Sequence, residues 1–335
     1  MRCELIQKII DLKGGLEYGS VFVESGEKSF MTSSTPSDPQ AQSTAGVVYA
    51  GLAFLIWGLS PAYWKALGAV GALEIIAHRV IWSFAFLLPM VFLMKQRHEF
   101  AAALKNRRTF LVLACTAVLI GANWLLYVWA VNNNQLLQGS LGYYINPLVN
   151  VVLGMVFLKE RLRRPQIAAV LLAAAGVVYL TVSYGVFPWI SLTLAMLFGC
   201  YGLIRKVASV GSLVGLAVET MLLSLAALPY LFYLAAGNAG FLFRVGIKMD
   251  LLLMGTSLVT AVPLLLFTLS ARRINLSTVG LMQYIAPSGM FLLAVLAYHE
   301  PFARAQVWTF LMIWIALAIY STDSIINRLG NSAAR

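Results

Sequence analysis

Residues 141–150 read LGYYINPLVN, and residues 281–290, which lie 140 positions later, read LMQYIAPSGM. The same offset extends without a gap over residues 139–171 and 279–311, where nine of 33 positions are identical. The shared residues include proline, tyrosine, glutamate, arginine and glutamine, which an apolar composition does not match by chance. The chain therefore contains an internal duplication, and each copy carries a proline at the same position.

The composition indicates a membrane protein. Of the 335 residues, 60% are hydrophobic and only 11% are charged, and the mean hydropathy is +0.82. A soluble protein of this size would carry about a quarter charged residues. The net charge of +11 predicts no nucleic-acid partner, because the basic residues lie in short loops between apolar runs. Loop charges of that kind set membrane orientation instead.

Ten apolar runs approach the ~20 residues that a helix needs to cross a bilayer. The sequence thus predicts an all-α polytopic membrane protein, with residues 45–184 and 185–326 as two five-helix repeats. Because five is odd, the second repeat enters the membrane from the opposite side, so the repeats are inverted. The predicted spans are 46–66, 73–94, 109–131, 136–158, 166–183, 187–204, 211–235, 250–270, 276–298 and 303–325.

Loop charges predict the orientation. If the N-terminus is cytoplasmic, the inner loops and tail carry fifteen Lys and Arg residues, against four in the outer loops. The positive-inside rule therefore places both termini in the cytoplasm. Residues 327–335 are predicted to form a short cytoplasmic tail.

Residues 1–44 do not follow the pattern of spans. They are polar and carry a Ser/Thr/Pro/Gln-rich stretch from 32 to 44, which predicts disorder. Met31 stands just before that stretch, and we interpret it as a candidate natural start, with residues 1–30 as a mis-assigned extension.

Polar groups inside a span are costly, so they either find partners or line a cavity. The prolines of the duplicated helix, Pro147 and Pro287, are predicted to kink it and free a backbone carbonyl, which favours a transport path between the repeats. A structural role, with kinks and interhelical hydrogen bonds only, is the alternative. The candidate substrate-binding residues are Arg79, Asn123, Trp124, Tyr143, Asn146, Gln283 and Tyr284.

Three further groups are candidates for proton coupling. Glu74 and His78 are four residues apart and share a helix face, and histidine titrates near neutral pH. Glu219 is the lone acid deep in span seven, and it falls opposite Arg79 at the 140-residue offset, so the two could pair. An interfacial helix cap at Glu74 and a neutral, hydrogen-bonded Glu219 are the structural alternatives.

Two other acids recur at the 140-residue offset. Glu160 and Glu300 stand at the ends of matching helices, just before the next span. We interpret both as structural, either pairing with loop arginines or capping spans five and ten.

Several longer segments carry a resemblance to a known family. They are EIIAHRVIWS at 74–83, NWLL at 123–126, SLGYYINPLVN at 140–150 and QYIAP at 283–287. Over residues 46–326 the chain resembles the RarD branch of the EamA-type drug/metabolite transporters. The departures are the N-terminal extension of 44 residues and the end of span nine, which reads YHEP at 298–301.

The resemblance implies ten helices in two inverted repeats, a bacterial inner-membrane location, and secondary transport or export of small metabolites or drugs. We therefore expect a transporter and not an enzyme, with a small-molecule solute and the lipid bilayer as partners. No cofactor or metal is expected, and a homodimer is a candidate assembly. The alternatives are a membrane sensor or scaffold without transport, and an intramembrane lipid-linked transferase, which would need paired acids or metal ligands.

Overall fold

The computed structural model of this protein describes residues 39–132, 136–185, 187–297 and 304–333. The predictions for residues 1–38, including the start at Met31, and for Glu300 lie outside these residues. Residues 39–44 belong to the first helix instead of the predicted disordered extension. The helices in the described ranges are α1 Pro39–Ala66, α2 Ala72–Leu93, α3 Arg97–Lys105, α4 Arg107–Asn132, α5 Leu136–Leu158, α6 Arg164–Tyr184, α7 Trp189–Val207, α8 Ser212–Ala236, α9 Ile247–Ala271, α10 Leu276–Met282, α11 Ile285–Leu296 and α12 Arg304–Ala333.

The ten predicted spans are confirmed. Ten helical segments of the described chain are long and apolar enough to cross a membrane, and α10 with α11 forms one of them, Leu276–Leu293. The sequence did not predict α3, because its nine residues, RHEFAAALK, are too short and too charged to give a span signal.

The helices repeat at the offset of the duplication. The starts of α2 and α8, of α4 and α9, of α5 and α10, and of α6 and α12 are each 140 residues apart. Helix contacts recur with the halves exchanged: α5 packs on α7 as α10 and α11 pack on α1, and α4 packs on α7 as α9 packs on α1. Helices α2 and α8, α5 and α10, and α6 and α12 each contact their own counterpart. This pattern is that of a pseudo-two-fold axis relating two inverted five-span repeats.

The duplicated helix differs between its two copies. The second copy is interrupted at Gln283 and Tyr284, between α10 and α11. Pro287 accounts for the interruption, because its ring clashes with the carbonyl of Gln283, four residues earlier, and it has no N–H to donate. In the first copy α5 is a single helix through Pro147.

Two glycine contacts bring helices of different repeats together at backbone distance. A Cβ atom on Gly280 would lie 2.7 Å from the carbonyl oxygen of Pro147, so α10 crosses α5 there. A Cβ atom on Gly289 would lie 3.2 Å from the Cα of Gly58, where α11 crosses α1. Small residues at such crossings allow the close van der Waals packing that holds helices together in lipid.

The loops 94–96, 159–163, 208–211 and 272–275 lie together at one end of the bundle, which we call the basic end. Here Glu160 caps α10: its carboxylate accepts hydrogen bonds from the backbone N–H of Leu276 at 2.7 Å and of Ser277 at 2.9 Å. The structural role of Glu160 is therefore confirmed, but the expected partner is wrong, because the carboxylate caps the start of span nine and not span five or a loop arginine. A carboxylate is favoured at a helix N-terminus by the helix dipole, and here the cap belongs to the other repeat.

Candidate functional site

A cavity of about 320 Å³ lies between α1, α2, α4, α5, α7, α9 and the α10–α11 span. Most of its lining residues come from the second halves of α1 and α4 and the first halves of α2, α5 and α7, so it extends from the middle of the bundle into the half away from the basic end. Ligand pockets are typically of about 300–1,000 Å³. The cavity is therefore large enough for one small organic molecule.

The cavity lies on the pseudo-two-fold axis. Four pairs of its lining residues are separated by the 140-residue offset: Phe54 and Leu194, Trp124 and Leu264, Tyr143 and Gln283, and Asn146 and Ala286. The two repeats thus contribute equivalent positions to one chamber. Their chemistry differs, because the first repeat supplies most of the aromatic and polar groups.

Six of the seven residues predicted to bind substrate lie together on its wall. They are Arg79, Asn123, Trp124, Tyr143, Asn146 and Gln283. Tyr284 does not reach the cavity; its side chain is completely buried in the helix packing, and its hydroxyl donates to the carbonyl of Tyr144 at 3.0 Å. Successive residues leave a helix in different directions, so Gln283 faces the chamber while Tyr284 faces α5.

Arg79 is held in a fixed position at this wall. Its guanidinium carbon lies 4.9 Å from the ring centroids of both Trp64 and Trp124, and its Nε donates to the hydroxyl of Thr260 at 2.9 Å. Cation–π contacts of this kind strengthen when water is excluded. The two indole rings and Thr260 together fix the guanidinium of α2 against α1, α4 and α9.

The amides at the cavity also bond to neighbouring helices. Asn123 Nδ2 donates to the carbonyl of Leu194 on α7 at 2.9 Å, and Asn150 Nδ2 donates to Gln283 Oε1 at 2.7 Å. Asn123 therefore makes the interhelical bond of the structural alternative and lines the cavity as well. The Asn150–Gln283 bond joins α5 to the end of α10, next to the helix interruption.

Glu219 does not pair with Arg79, and that expectation is wrong. Glu219 is completely buried, with its Oε1 at 3.5 Å from the Nε of Arg205. Thr116 donates to it at 2.6 Å and the Tyr201 hydroxyl at 3.2 Å. Counting loop charges had placed Arg205 at the membrane surface, whereas the structure buries it completely under the start of α8. Arg79 is instead directed to the cavity.

Glu74 Oε1 lies 3.7 Å from His78 Nε2. Both side chains are buried, and neither lines the cavity. Glu74 Oε1 also accepts a hydrogen bond from the backbone N–H of Phe241 at 2.7 Å, in the segment between α8 and α9. Trp82 donates to His78 Nδ1 at 3.2 Å. This cluster joins the first two turns of α2, directly before Arg79, to the second repeat.

A second cavity of about 480 Å³ lies at the basic end, between α1, α6, α10 and α12. Met282 lines this cavity, whereas its neighbour Gln283 lines the first one. Helix α10 therefore separates the two chambers at this point, close to where it crosses α5 at Gly280 and where Gln283 bonds to Asn150.

Sequence reasoning missed several lining residues, among them Trp57, Trp64, Tyr127 and Thr260. A signal existed for Trp57, since Trp57-Gly58 has an echo in Phe198-Gly199 of the second repeat. The rings of Trp57 and Phe198 meet edge to face on the wall, with centroids 5.9 Å apart. Trp64 and Thr260 carry no such signal, because only the folded bundle brings both of them to Arg79.

Comparisons with known proteins agree on the family. The profile of the EamA-like transporter family matches residues 44–182. The "Protein RarD" of Salmonella typhi is 46% identical over 86% of this chain and 98% of its own length. An "Uncharacterized transporter" of Vibrio cholerae is 45% identical over 90% of this chain and 98% of its own length. The "Uncharacterized transporter YojE" of Bacillus subtilis is 43% identical over 85% and 96% of the two chains.

A solved crystal structure of a protein superposes on 82% of this chain and 96% of its own, with a TM-score of 0.61. At 18% identity this likeness shows the fold alone. The sequence relatives go further, because they are similar from end to end and several carry the same name. This chain belongs to the RarD branch of the EamA-like transporter family.

Proposed function

We propose that this membrane transporter works as a secondary transporter of a small organic solute, with export as its direction, by alternating access around the axial cavity. One observation carries the proposal: the cavity lies on the pseudo-two-fold axis, and a second chamber lies on the other side of α10. Inverted repeats around a central site are the geometry that opens alternately to either side.

The residues divide the work as follows. Arg79, Asn123, Trp124, Tyr143, Asn146 and Gln283 contact the solute, while Tyr284 supports the wall from behind. The basic end is held closed in this arrangement by contacts between the repeats, with the Glu160 cap on α10 among them. Rocking one repeat against the other would release those contacts and join the cavity to the second chamber.

Counterflow in proteoliposomes tests the function. Vesicles loaded with unlabelled bacterial metabolites are diluted into a panel of radiolabelled organic acids, amides and amines. We expect this protein to accelerate the entry of at least one labelled solute over protein-free vesicles, without ATP. A protein that binds a solute but exchanges none would instead be a sensor or scaffold.

An intramembrane transferase is less well supported. Within the described part of the chain, no three His, Cys, Asp or Glu side chains converge on a point that could hold a metal. The buried acids are also separate, since Glu74 and Glu219 each have their own partners on different helices.

Glu160→Gln is expected to open the basic end more often. The amide keeps one acceptor oxygen but turns an N–H₂ group toward the backbone N–H of Leu276 or Ser277, so one capping bond is lost. A cysteine at Met282, in the chamber of the basic end, should then react several-fold faster with a maleimide in a background without native cysteines. Arg97→Gln is the control, because that arginine is exposed on α3 and lines neither chamber; equal rates in both variants would refute the cap as a gate.

Proton coupling through Glu74, His78 or Glu219 stays a prediction. We expect flux to increase with a pH gradient and Glu74→Gln to remove that increase, because the neutral amide cannot exchange a proton. Flux of the labelled solute with and without the gradient measures this directly. Glu219→Gln is a weaker test, since its loss of charge also disturbs the buried Arg205. A gradient response that survives in both variants contradicts the coupling.

Both termini are proposed to be cytoplasmic in the bacterial inner membrane, from the charge of the loops at the basic end. A phosphatase fusion after Ala333 should be inactive, because that enzyme needs the periplasm. Full phosphatase activity of the fusion would reverse the orientation of the bundle.

A further inference from the structure

The charge of the cavity indicates what it binds. Among its lining residues in the described chain, Arg79 is the one formally charged side chain at neutral pH; no aspartate, glutamate or lysine faces the chamber. A lone cation on the wall makes the cavity electropositive. At low local dielectric such a charge attracts an anion strongly and repels a cation.

Arg79 has no acidic partner within the described residues. No carboxylate lies within ion-pair distance of its guanidinium, and the acid that sequence position suggested, Glu219, belongs to Arg205. An unpaired cation within a membrane span is costly. The site is completed electrostatically when a ligand brings the missing negative charge.

The guanidinium also has a defined free edge. Thr260 occupies its Nε, and the indoles of Trp64 and Trp124 lie over its plane. These contacts do not use the two Nη groups, which can therefore donate to a ligand. These two parallel N–H donors match the two oxygens of a carboxylate or a phosphate, and such bidentate pairs are among the stronger hydrogen bonds in proteins.

The rest of the wall suits an apolar, planar body. Phe54, Trp57, Tyr127 and Phe198 contribute rings to the chamber. Gln283, whose Oε1 is occupied by Asn150, keeps its amide N–H₂ as a donor. A volume of about 320 Å³ is near the lower limit for ligand sites. The shape and lining thus admit a small molecule with one ring and one anionic group.

The other chamber on the proposed path is cationic as well. Arg161, Arg163 and Arg273 line the cavity at the basic end. Arg163 pairs there with Asp323 at 2.6 Å, whereas Arg161 and Arg273 add positive charge to its wall. An anion therefore meets favourable potential on both sides of the α5–α10 barrier, whereas a cation meets repulsion at each.

We propose that the solute is a small organic anion, whose carboxylate or phosphate binds the Nη edge of Arg79 and whose planar apolar body packs against the aromatic wall. An amino acid would fit less well, because none of the described lining residues offers a carboxylate for its ammonium group. This proposal rests on the transport function proposed above and names its substrate class.

Thermal unfolding of the purified full-length protein in detergent tests the charge preference. The probes are phenylacetate and phenyl phosphate as anions, phenylacetamide as the neutral isostere, and phenethylamine as the cation. A ligand that binds the folded state raises the apparent melting temperature with its concentration. We expect a rise with at least one of the two anions and none with the amide or the amine.

Variants locate the effect. Arg79→Gln should weaken anion binding by about 10- to 100-fold, as the loss of a hydrogen bond to a charged group predicts. Arg79→Lys keeps the charge without the fork and should bind with intermediate affinity, which covers the case in which the glutamine variant does not fold. Arg97→Gln removes an exposed arginine of α3 and should leave the anion response unchanged.

Three results would overturn the anion proposal: stabilisation by the amide or the amine equal to that by an anion, an anion effect that survives in a folded Arg79→Gln protein, or no effect of either anion at millimolar concentration. Counterflow with the same probes distinguishes a failure of the anion proposal from a failure of the transport proposal. Exchange of the amide but of neither anion would refute the anion and keep the transporter. Anion binding through Arg79 without exchange of any probe would support the anion site and refute the transport function.

Discussion

Arg205→Leu will destabilise the folded protein by about 3–5 kcal/mol, as expected when one partner of a buried ion pair is removed. Arg205 and Glu219 are both fully buried, so the substitution leaves a carboxylate in the helix packing with only the hydroxyls of Thr116 and Tyr201 as partners. The Nη2 of Arg205 also donates to the carbonyls of Gly211 at 3.3 Å and Ser212 at 3.2 Å, before α8 and at its start. Unfolding by SDS in mixed micelles measures the loss.

A double-mutant cycle checks the cause. Arg205→Leu with Glu219→Leu removes both charges and should lie closer to the wild type than Arg205→Leu alone. Arg97→Leu is the matched control, because that arginine is exposed, and it should change the free energy of unfolding by less than about 0.5 kcal/mol. Additive effects of the two leucines would show that the pair contributes no coupling.

Gly280→Ala will destabilise the protein by about 1–3 kcal/mol, the usual effect of overpacking. The new methyl group would lie 2.7 Å from the Pro147 carbonyl oxygen and 2.9 Å from Asn150 Cβ. The first of these is backbone and cannot rotate away, so α10 must move from α5. We therefore also expect the Asn150–Gln283 hydrogen bond to weaken and the barrier between the chambers to leak.

The comparison is Gly51→Ala on α1, where the nearest atom to a new Cβ is the flexible Met282 Cε at 3.9 Å. This change should be neutral or stabilise the helix by up to ~1 kcal/mol, since alanine is the better helix former. SDS unfolding measures stability for both variants, and maleimide labelling at Met282→Cys measures the leak. Equal stability of the two alanine variants would contradict the close crossing.

The fold was largely predictable because its signals are local. Apolar runs predict the spans, and the 140-residue match groups them into two repeats. For example, the second span of each repeat begins at residue 72 or at residue 212, which are 140 residues apart. The short helix α3 was not predicted, because an amphipathic segment of nine residues is too short to resemble a membrane span. The interruption before Pro287 was foreseen as a kink, whereas the continuous α5 at Pro147 depends on packing that sequence does not display.

The candidate site was predictable only where a polar group stands out in an apolar helix, as Arg79 and Asn123 do. Trp64 and Thr260 are ordinary residues of their helices, and they matter only because the bundle brings them to Arg79. Arg205 shows the opposite limit. Charge counting treats every arginine near a helix end as solvated, but a residue in the last turn can be buried beneath the start of the next helix, as Arg205 is.

The axial position of the cavity has a consequence for how this protein could change its specificity. A wall residue near the axis that contacts the solute equally whichever side is open contributes the same binding free energy to both states. A substitution there alters affinity by the same factor in both states, and a ligand bound equally by two states shifts neither. Single substitutions of such residues can therefore change which solute is bound without shifting the equilibrium between the two conformations. One duplicated scaffold can in this way transport different solutes.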